Sequence, residues 1–327
     1  DSSAAVTQTA AITGEGLQLT GSGPFTLSDM ANDFTTLSAD TTGTIEYRDV
    51  DELAIGTVDV LGKFVSGIAS GGHDVALHTA GLTINEAVAT GVGDLRLDSS
   101  AAVTQTAEIQ GTGLQLTGSG PFILTALGND FAVLAAETAG TVEYVDSSAV
   151  EVGAVAVLGN VVSGVSTTDD DVTICAESIL LSQNVSAGSA TVRLQARTAG
   201  IQQTGGTLTA ATLGLRAAGS VQLPGANDVD TLAVTAGLGV AFKDTDGYRL
   251  GTVTAAGCFT PDVTGITAGG DVELCLTSGD LLIDSPLSAP GFTVRLSAES
   301  GQITQTATGV ITAANLGVRA GGSVEIG

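Results

Sequence analysis

Tryptophan is absent, methionine occurs once, and aromatic residues make up only 3% of the 327 residues. A core of stacked rings is excluded, so core volume must come from Val, Leu, Ile and Ala. Lysine occurs only as Lys63 and Lys243, and the formal charge is −25. Nucleic acid, which needs a basic footprint, is excluded as a partner, and anionic membrane surfaces are disfavoured. No segment approaches the roughly eighteen apolar residues of a membrane-spanning helix, so membrane insertion is not expected. Histidine is confined to His73 and His78. That is a poor basis for a zinc site, which needs three or four convergent ligands, or for a Ser–His–Asp triad. No Gly-x-Ser-x-Gly elbow is present, and the Gly-x-Gly runs lack the third glycine of a nucleotide cradle. Prolines number six, and no stretch has the composition of a linker. The hydrophobic share of 43% excludes disorder.

Against these gaps stands extensive internal repetition. Residues 1–97 and 98–194 align without a gap: Asp1-Ser-Ser-Ala-Ala-Val-Thr-Gln-Thr9 returns as Asp98-Ser-Ser-Ala-Ala-Val-Thr-Gln-Thr106. A diverged third copy spans 195–296, and a partial fourth spans 297–327. Long tandem copies build one solenoid in which each unit is covered by its neighbours. The chain is expected to be a single continuous body over 1–327, cut from something longer.

Within each copy, short segments alternate. In Gly113-Leu-Gln-Leu-Thr-Gly118, Leu114 and Leu116 share one face; in Asp271-Val-Glu-Leu-Cys-Leu276, Val272, Leu274 and Leu276 do. Period-two alternation marks strands buried on one side. Glycine, Asn, Asp and Ser fill the intervals, as turns between short strands require. No helical periodicity persists. The pattern predicts an all-β parallel β-helix, without a helical domain, of about 14–16 coils of three short strands. Each copy should supply four to five coils, with copy two directly above copy one.

The segments Val6-Thr-Gln-Thr9, Asn32-Asp33-Phe34, Gly71-Gly72-His73-Asp74-Val75, Leu82-Thr-Ile-Asn85, Gly93-Asp-Leu-Arg-Leu97 and Gly269-Gly-Asp-Val-Glu-Leu274 resemble the β-strand repeats of filamentous-haemagglutinin-like bacterial surface exoproteins. That resemblance implies a right-handed helix, an extracellular or cell-surface location, and adhesive or filament-forming roles.

Few residues carry chemistry. Asp169, Asp170 and Asp171, with Asp74 and Asp271 at matching turns, are candidate calcium ligands, since calcium takes carboxylate oxygens. Solvated acidic turns are the alternative reading, and no other cofactor is expected. The pairs Asn32-Asp33, Asn129-Asp130 and Asn227-Asp228 are structural turn residues. Arg96, Arg193 and Arg295 point outward between inward neighbours, and each is expected to pair with an acidic residue on an adjacent coil. Cys258, in an insertion assigned to copy three alone, is a candidate disulfide partner for Cys275. Cys175 and Cys275 occupy equivalent places one copy apart, too far for a bond.

The resulting expectation is a non-catalytic extracellular shaft of a large bacterial surface or filament protein. Its partners would be further repeats or other copies, joined end to end or laterally. Two other readings are an adhesive module that binds a glycan or host protein, and a polysaccharide lyase or hydrolase built on the same scaffold.

Overall fold

The computed structural model describes residues 1–327. It is all-β without a helix, a parallel β-solenoid of about 15 turns. Residue contacts divide the chain into two units. The first comprises Asp1–Ser148 and Gly153–Val165; the second comprises Ala149–Val152 and Ser166–Gly327.

In the first unit, apolar residues, mostly aliphatic, stack in register from turn to turn. One column runs Val6, Phe25, Ile45, Val75, Leu95, Leu114 and Leu134. A second runs Leu53, Leu82, Val103, Phe122 and Val142. A third runs Leu19, Ala39, Ile68, Val88 and Ile109. Most of these side chains are buried, and from Val75 to Leu134 the first column is fully so. The core is therefore three parallel ladders, mostly of aliphatics, with Phe25 and Phe122 as aromatic rungs and Tyr47 and Tyr144 as its only fully buried tyrosines. Truncating one rung, such as Leu97, removes contacts both above and below.

Val103 is the counterpart of Val6 in the next copy, yet it does not lie in Val6's column. It follows Leu82 in the neighbouring one. From Val6 the first column passes through Phe25, Ile45 and Val75 to Leu95, four turns, and Val103 falls one face further on. A copy thus covers four turns and one face of three. The expected direct superposition of copies is corrected to a stack rotated by one face. All three faces present the same alternating, aliphatic strand to the interior, so any face serves any part of the repeat.

The second unit follows the same rule. One column runs Val172, Val192, Leu213 and Leu232, while Val272, the counterpart of Val172, stacks with Ile179, Ile201, Val221, Val240 and Val294 instead.

Ile45 pairs with Val75 across thirty residues, whereas Val75 pairs with Leu95 across twenty. The surplus is an antiparallel hairpin, Thr57–Val60 against Lys63–Ser66. Copy two carries the equivalent Ala154–Val157 against Asn160–Ser163. Copy three carries Thr252–Val253 against Val263–Thr264. The hairpin is therefore common to the copies, and the insertion peculiar to copy three lengthens its hairpin, which spans 252–264 against 57–66 and 154–163. Each hairpin folds back flat onto the outer face of earlier turns. Gln18 Nε2 donates to Val58 O and Lys63 O, both at 2.8 Å. Gln115 Nε2 donates to Val155 O at 2.9 Å and Asn160 O at 3.1 Å. Beneath the second hairpin, Val155, Val157 and Val162 pack on Ala76 and Ala135. Beneath the third, Val253, Phe259 and Val263 pack on Ala233.

These seats demand small residues. A Cβ at Gly113 would lie 2.8 Å from Val155 Cγ1 and 2.8 Å from Asp94 Oδ1. Gly113→Val should lift the second hairpin, at a cost of about 1–3 kcal/mol. Hydrogen exchange of the amides of residues 154–163 should speed up while that of Leu95 and Leu97 does not. Unchanged exchange in the hairpin would refute this packing.

Candidate functional site

The Asn-Asp pairs divide their labour. Asn32, Asn129 and Asn227 are fully buried, and Asp33, Asp130 and Asp228 are exposed. Asn129 Oδ1 accepts from Gln105 Nε2 at 2.8 Å and Ile109 N at 3.0 Å. Its Nδ2 donates to Gln105 Oε1 at 2.8 Å, Leu124 O at 3.1 Å and Val145 O at 3.2 Å. Gln105 and Ile109 lie on the turn below, Leu124 on the same turn and Val145 on the turn above. One amide thus joins three turns at a corner. Asn32 repeats this with Gln8, Ile12, Leu27 and Arg48, and Asn227 with Gln203, Leu208, Leu223 and Lys243.

A buried carboxylate stands beside each corner. Asp49 accepts from Phe34 N at 3.0 Å and Tyr47 OH at 2.5 Å. Asp146 accepts from Phe131 N at 2.9 Å and Tyr144 OH at 2.5 Å. Burial first, then the neighbouring carboxylate, pushes both phenols far above the usual range. In copy three the tyrosine is Phe242, so Asp244 keeps its amide donors, Val229 N at 3.2 Å and Asp246 N at 3.1 Å, without the phenol. Tyr248 meets Phe242 edge-on with ring centroids 5.3 Å apart.

Burial pushes the Asp244 carboxyl up to about 7. The folded chain therefore holds a proton that the unfolded chain releases near the ordinary carboxylate pKa of about 4. Stability from this group is complete below about pH 4 and is lost as pH rises through about 7. Thermal melts at about pH 5 and pH 8 should show the loss, and Asp244→Asn should remove it. A variant whose pH dependence matched the parent would discard the assignment.

Of the carboxylates considered for calcium, those of Asp74, Asp169, Asp171 and Asp271 are engaged with the next turn of chain. Asp74 Oδ1 accepts from Asp94 N, Asp171 Oδ1 from Thr191 N and Asp271 Oδ1 from Thr293 N, each at 3.0 Å. Asp169 Oδ1 accepts from Ser189 N at 2.7 Å, and that amide bond holds its carboxyl below the usual range. Asp170 accepts Thr167 Oγ1 at its backbone oxygen, 2.5 Å away. No three His, Cys, Asp or Glu side chains converge in a way that could hold a metal ion.

The three arginines have different surroundings. Arg193 Nη1 reaches Asp171 Oδ2 at 2.6 Å, and its Nε donates to Thr254 O of the third hairpin at 3.0 Å. Arg295 Nη1 reaches Asp271 Oδ2 at 3.1 Å. Arg96, buried, turns to His78 Nε2 at 2.5 Å, and His78 Nδ1 meets Asp98 Oδ2 at 2.9 Å. A guanidinium only donates, so Nε2 accepts and Nδ1–H donates to Asp98. That bond holds the Asp98 carboxyl below the usual range. With both ring nitrogens occupied, His78 offers no lone pair to a substrate.

The disulfide expected between Cys258 and Cys275 is corrected: Cys258 bonds Cys175, and Cys275 is free. Leu250 stacks on Leu232, and the column descends through Leu213 and Val192 to Val172. The hairpin that follows Leu250 lies back along this face and brings Cys258 to a strand four turns earlier. Equivalence of Cys175 and Cys275 in the repeat does not bear on Cys258, because the hairpin leaves the coil altogether.

Two grooves mark the surface. In the first unit, one of about 420 Å³ is lined by Met30, Arg48, Val50, His78, Asp98 and Ser100, among others. In the second unit, a smaller groove is lined by Gln195, Ala196, Arg197, Arg216, Ala217, Ala218 and Thr235. Gln195, Arg216 and Thr235 are successive rungs of one outward column. No protein-family model, curated protein or solved structure matches the chain, so what is established is the β-solenoid fold.

Proposed function

We propose that this chain is part of an extracellular shaft in a large bacterial surface protein of the filamentous-haemagglutinin-like kind, and that its role is mechanical, not catalytic. The observation that carries this reading is the covalent clip between Cys175 and Cys258, laid across four turns of a repetitive stack. Disulfides persist in oxidising surroundings outside the cytosol. Each turn bonds to the next through parallel backbone pairing, and the buried Asn amides add a side-chain tie at the corners. Stability of such a stack is a sum over turns and their interfaces, which suits a spacer of variable length. The carboxylates of Asp74, Asp169, Asp171 and Asp271 and the His78 ring are consumed in holding turns together.

The test is made on protein taken from its own cells without reductant. Cys175 and Cys258 should resist alkylation, and a membrane-impermeant reagent should label the chain on intact cells. Free thiols at both positions, with labelling only after lysis, would overturn the proposal.

A further inference from the structure

Each hairpin lies along a column of outward rungs. The second follows Ala76, Arg96, Gln115 and Ala135. The third follows Thr173, Arg193, Gly214 and Ala233. Arg96, Thr173 and Arg193 are buried there. The column of the first hairpin stops short. It begins at Gln18 and continues through Ser38, with no strand beneath Gln18. Val58 and Val65 are buried on it. Val60, next on the same side, has no rung below and is 46% exposed, whereas its counterpart Val157 is fully buried. Lys63 shares this bare side, being paired with Val60, and Leu61 at the tip is wholly exposed. Uncovered apolar surface of this kind marks a contact site.

The second unit holds the converse, a column without a hairpin. Leu213-Gly-Leu-Arg216 returns as Leu316-Gly-Val-Arg319, so Gly317 matches Gly214. The successive rungs Glu273, Arg295 and Gly317 then match the seat of the third hairpin. All three are exposed. A Cβ at Gly214 would meet Val253 Cγ1 at 2.7 Å, but one at Gly317 would meet only Val294 O, at 4.0 Å. Arg193 Nε binds the carbonyl of Thr254 in its hairpin, whereas the Arg295 guanidinium reaches only Asp271, through Nη1.

We propose that the first hairpin of one copy of this chain occupies the bare column of another. The underside around Val60 lies over Gly317 and Arg295, where the missing side chain of Gly317 leaves room. Arg295 Nε donates to a hairpin carbonyl, as Arg193 Nε does within the chain. Lys63 reaches Glu273, so opposite charges meet across the contact. Gln18 then stands one rung above Gly317, and Val6 takes the place of Val324, whose strand is only two residues long and exposed. Hairpin and column are different surfaces, so the contact is heterologous, and a joined pair still offers one free hairpin and one free column. This does not depend on the shaft reading, because the two surfaces meet alike in any compartment.

The test is sedimentation velocity of the full chain at physiological ionic strength, which screens the repulsion between copies of charge −25. The parent should associate beyond dimers as its concentration rises from roughly 1 to 200 μM. Val60→Asp and Gly317→Leu, both at exposed positions, should each stay monomeric with unchanged melting midpoints. Mixed in equal amounts, the two variants should form a dimer and nothing larger, because one keeps the column and the other keeps the hairpin. Val161→Asp, on the outer face of the second hairpin, should associate as the parent does. A parent that stays monomeric or stops at dimers, or a mixture of the two variants without dimer, would each overturn the proposal.

Discussion

Cys258→Ser should lower the unfolding free energy by about 2–4 kcal/mol and open the third hairpin to proteases. The bond joins residues 83 apart in sequence, and closing a loop of that length in the unfolded chain corresponds to about 4–5 kcal/mol in the chain-entropy model. Part of the effect is local. Phe259, next to Cys258, is fully buried and packs with Val253 and Val263 on Ala233. Without the clip, that cluster, the Arg193 bond to Thr254 and the Arg216 bond to Pro261 must hold the hairpin alone. Cleavage within 254–262 should appear in Cys258→Ser and Cys175→Ser, and after reduction of the parent. Cys275→Ser should behave as the parent does. An unshifted denaturant midpoint together with an intact hairpin would show that the bond constrains nothing.

Asn129→Ala should be about as damaging, costing about 3–5 kcal/mol. It removes five hydrogen bonds at a fully buried position. Ile109 N loses its acceptor, while the carbonyls of Leu124 and Val145 lose a donor, all out of reach of water. Leaving one buried polar group unpaired costs about 1–3 kcal/mol, and here several are orphaned together. Asn129→Asp is a sharper probe, because it keeps the size but cannot donate to Leu124 O and Val145 O. Replacing the exposed neighbour, Asp130→Ala, should move the midpoint by no more than about 0.5 kcal/mol. Equal effects at 129 and 130 would refute the corner role.

The coil architecture was legible because alternation of Leu, Val and Ile is strict and the copies are so alike. Leu114 and Leu116 could be placed on the inner face of their strand, and Gln115 on the opposite face, from spacing alone, though the hairpin that buries Gln115 could not. The hairpins were not legible for the same reason. Thr57-Val58-Asp59-Val60 alternates like any coil strand, and period two does not reveal whether a strand lies in the wall or upon it. Their turns also avoid the usual signal: Leu61 and Leu158 take positive φ, 55° and 47°, where Asn or Asp is expected. The usable clue was arithmetic, a thirty-residue step among twenty-residue ones. Missing the hairpins hid the disulfide, since nothing else carries Cys258 back to Cys175. It also hid the Arg216 groove, one arm of which the same hairpin braces. The turn role of the Asn-Asp pairs could be inferred from residue type, but the tie across three turns also needs Gln8, Gln105 and Gln203, whose match to Asn32, Asn129 and Asn227 appears only when the turns are stacked.

The one-face offset between copies has a consequence for how such a chain can grow. If a duplicated segment had to end at the azimuth where it began, only whole rings could be inserted, and most recombination breakpoints would ruin the fold. With three interchangeable sides, the permitted increment shrinks to a single side. Gene segments whose lengths differ by a third of a ring can then be spliced in, and each new ornament on the wall emerges facing a fresh direction.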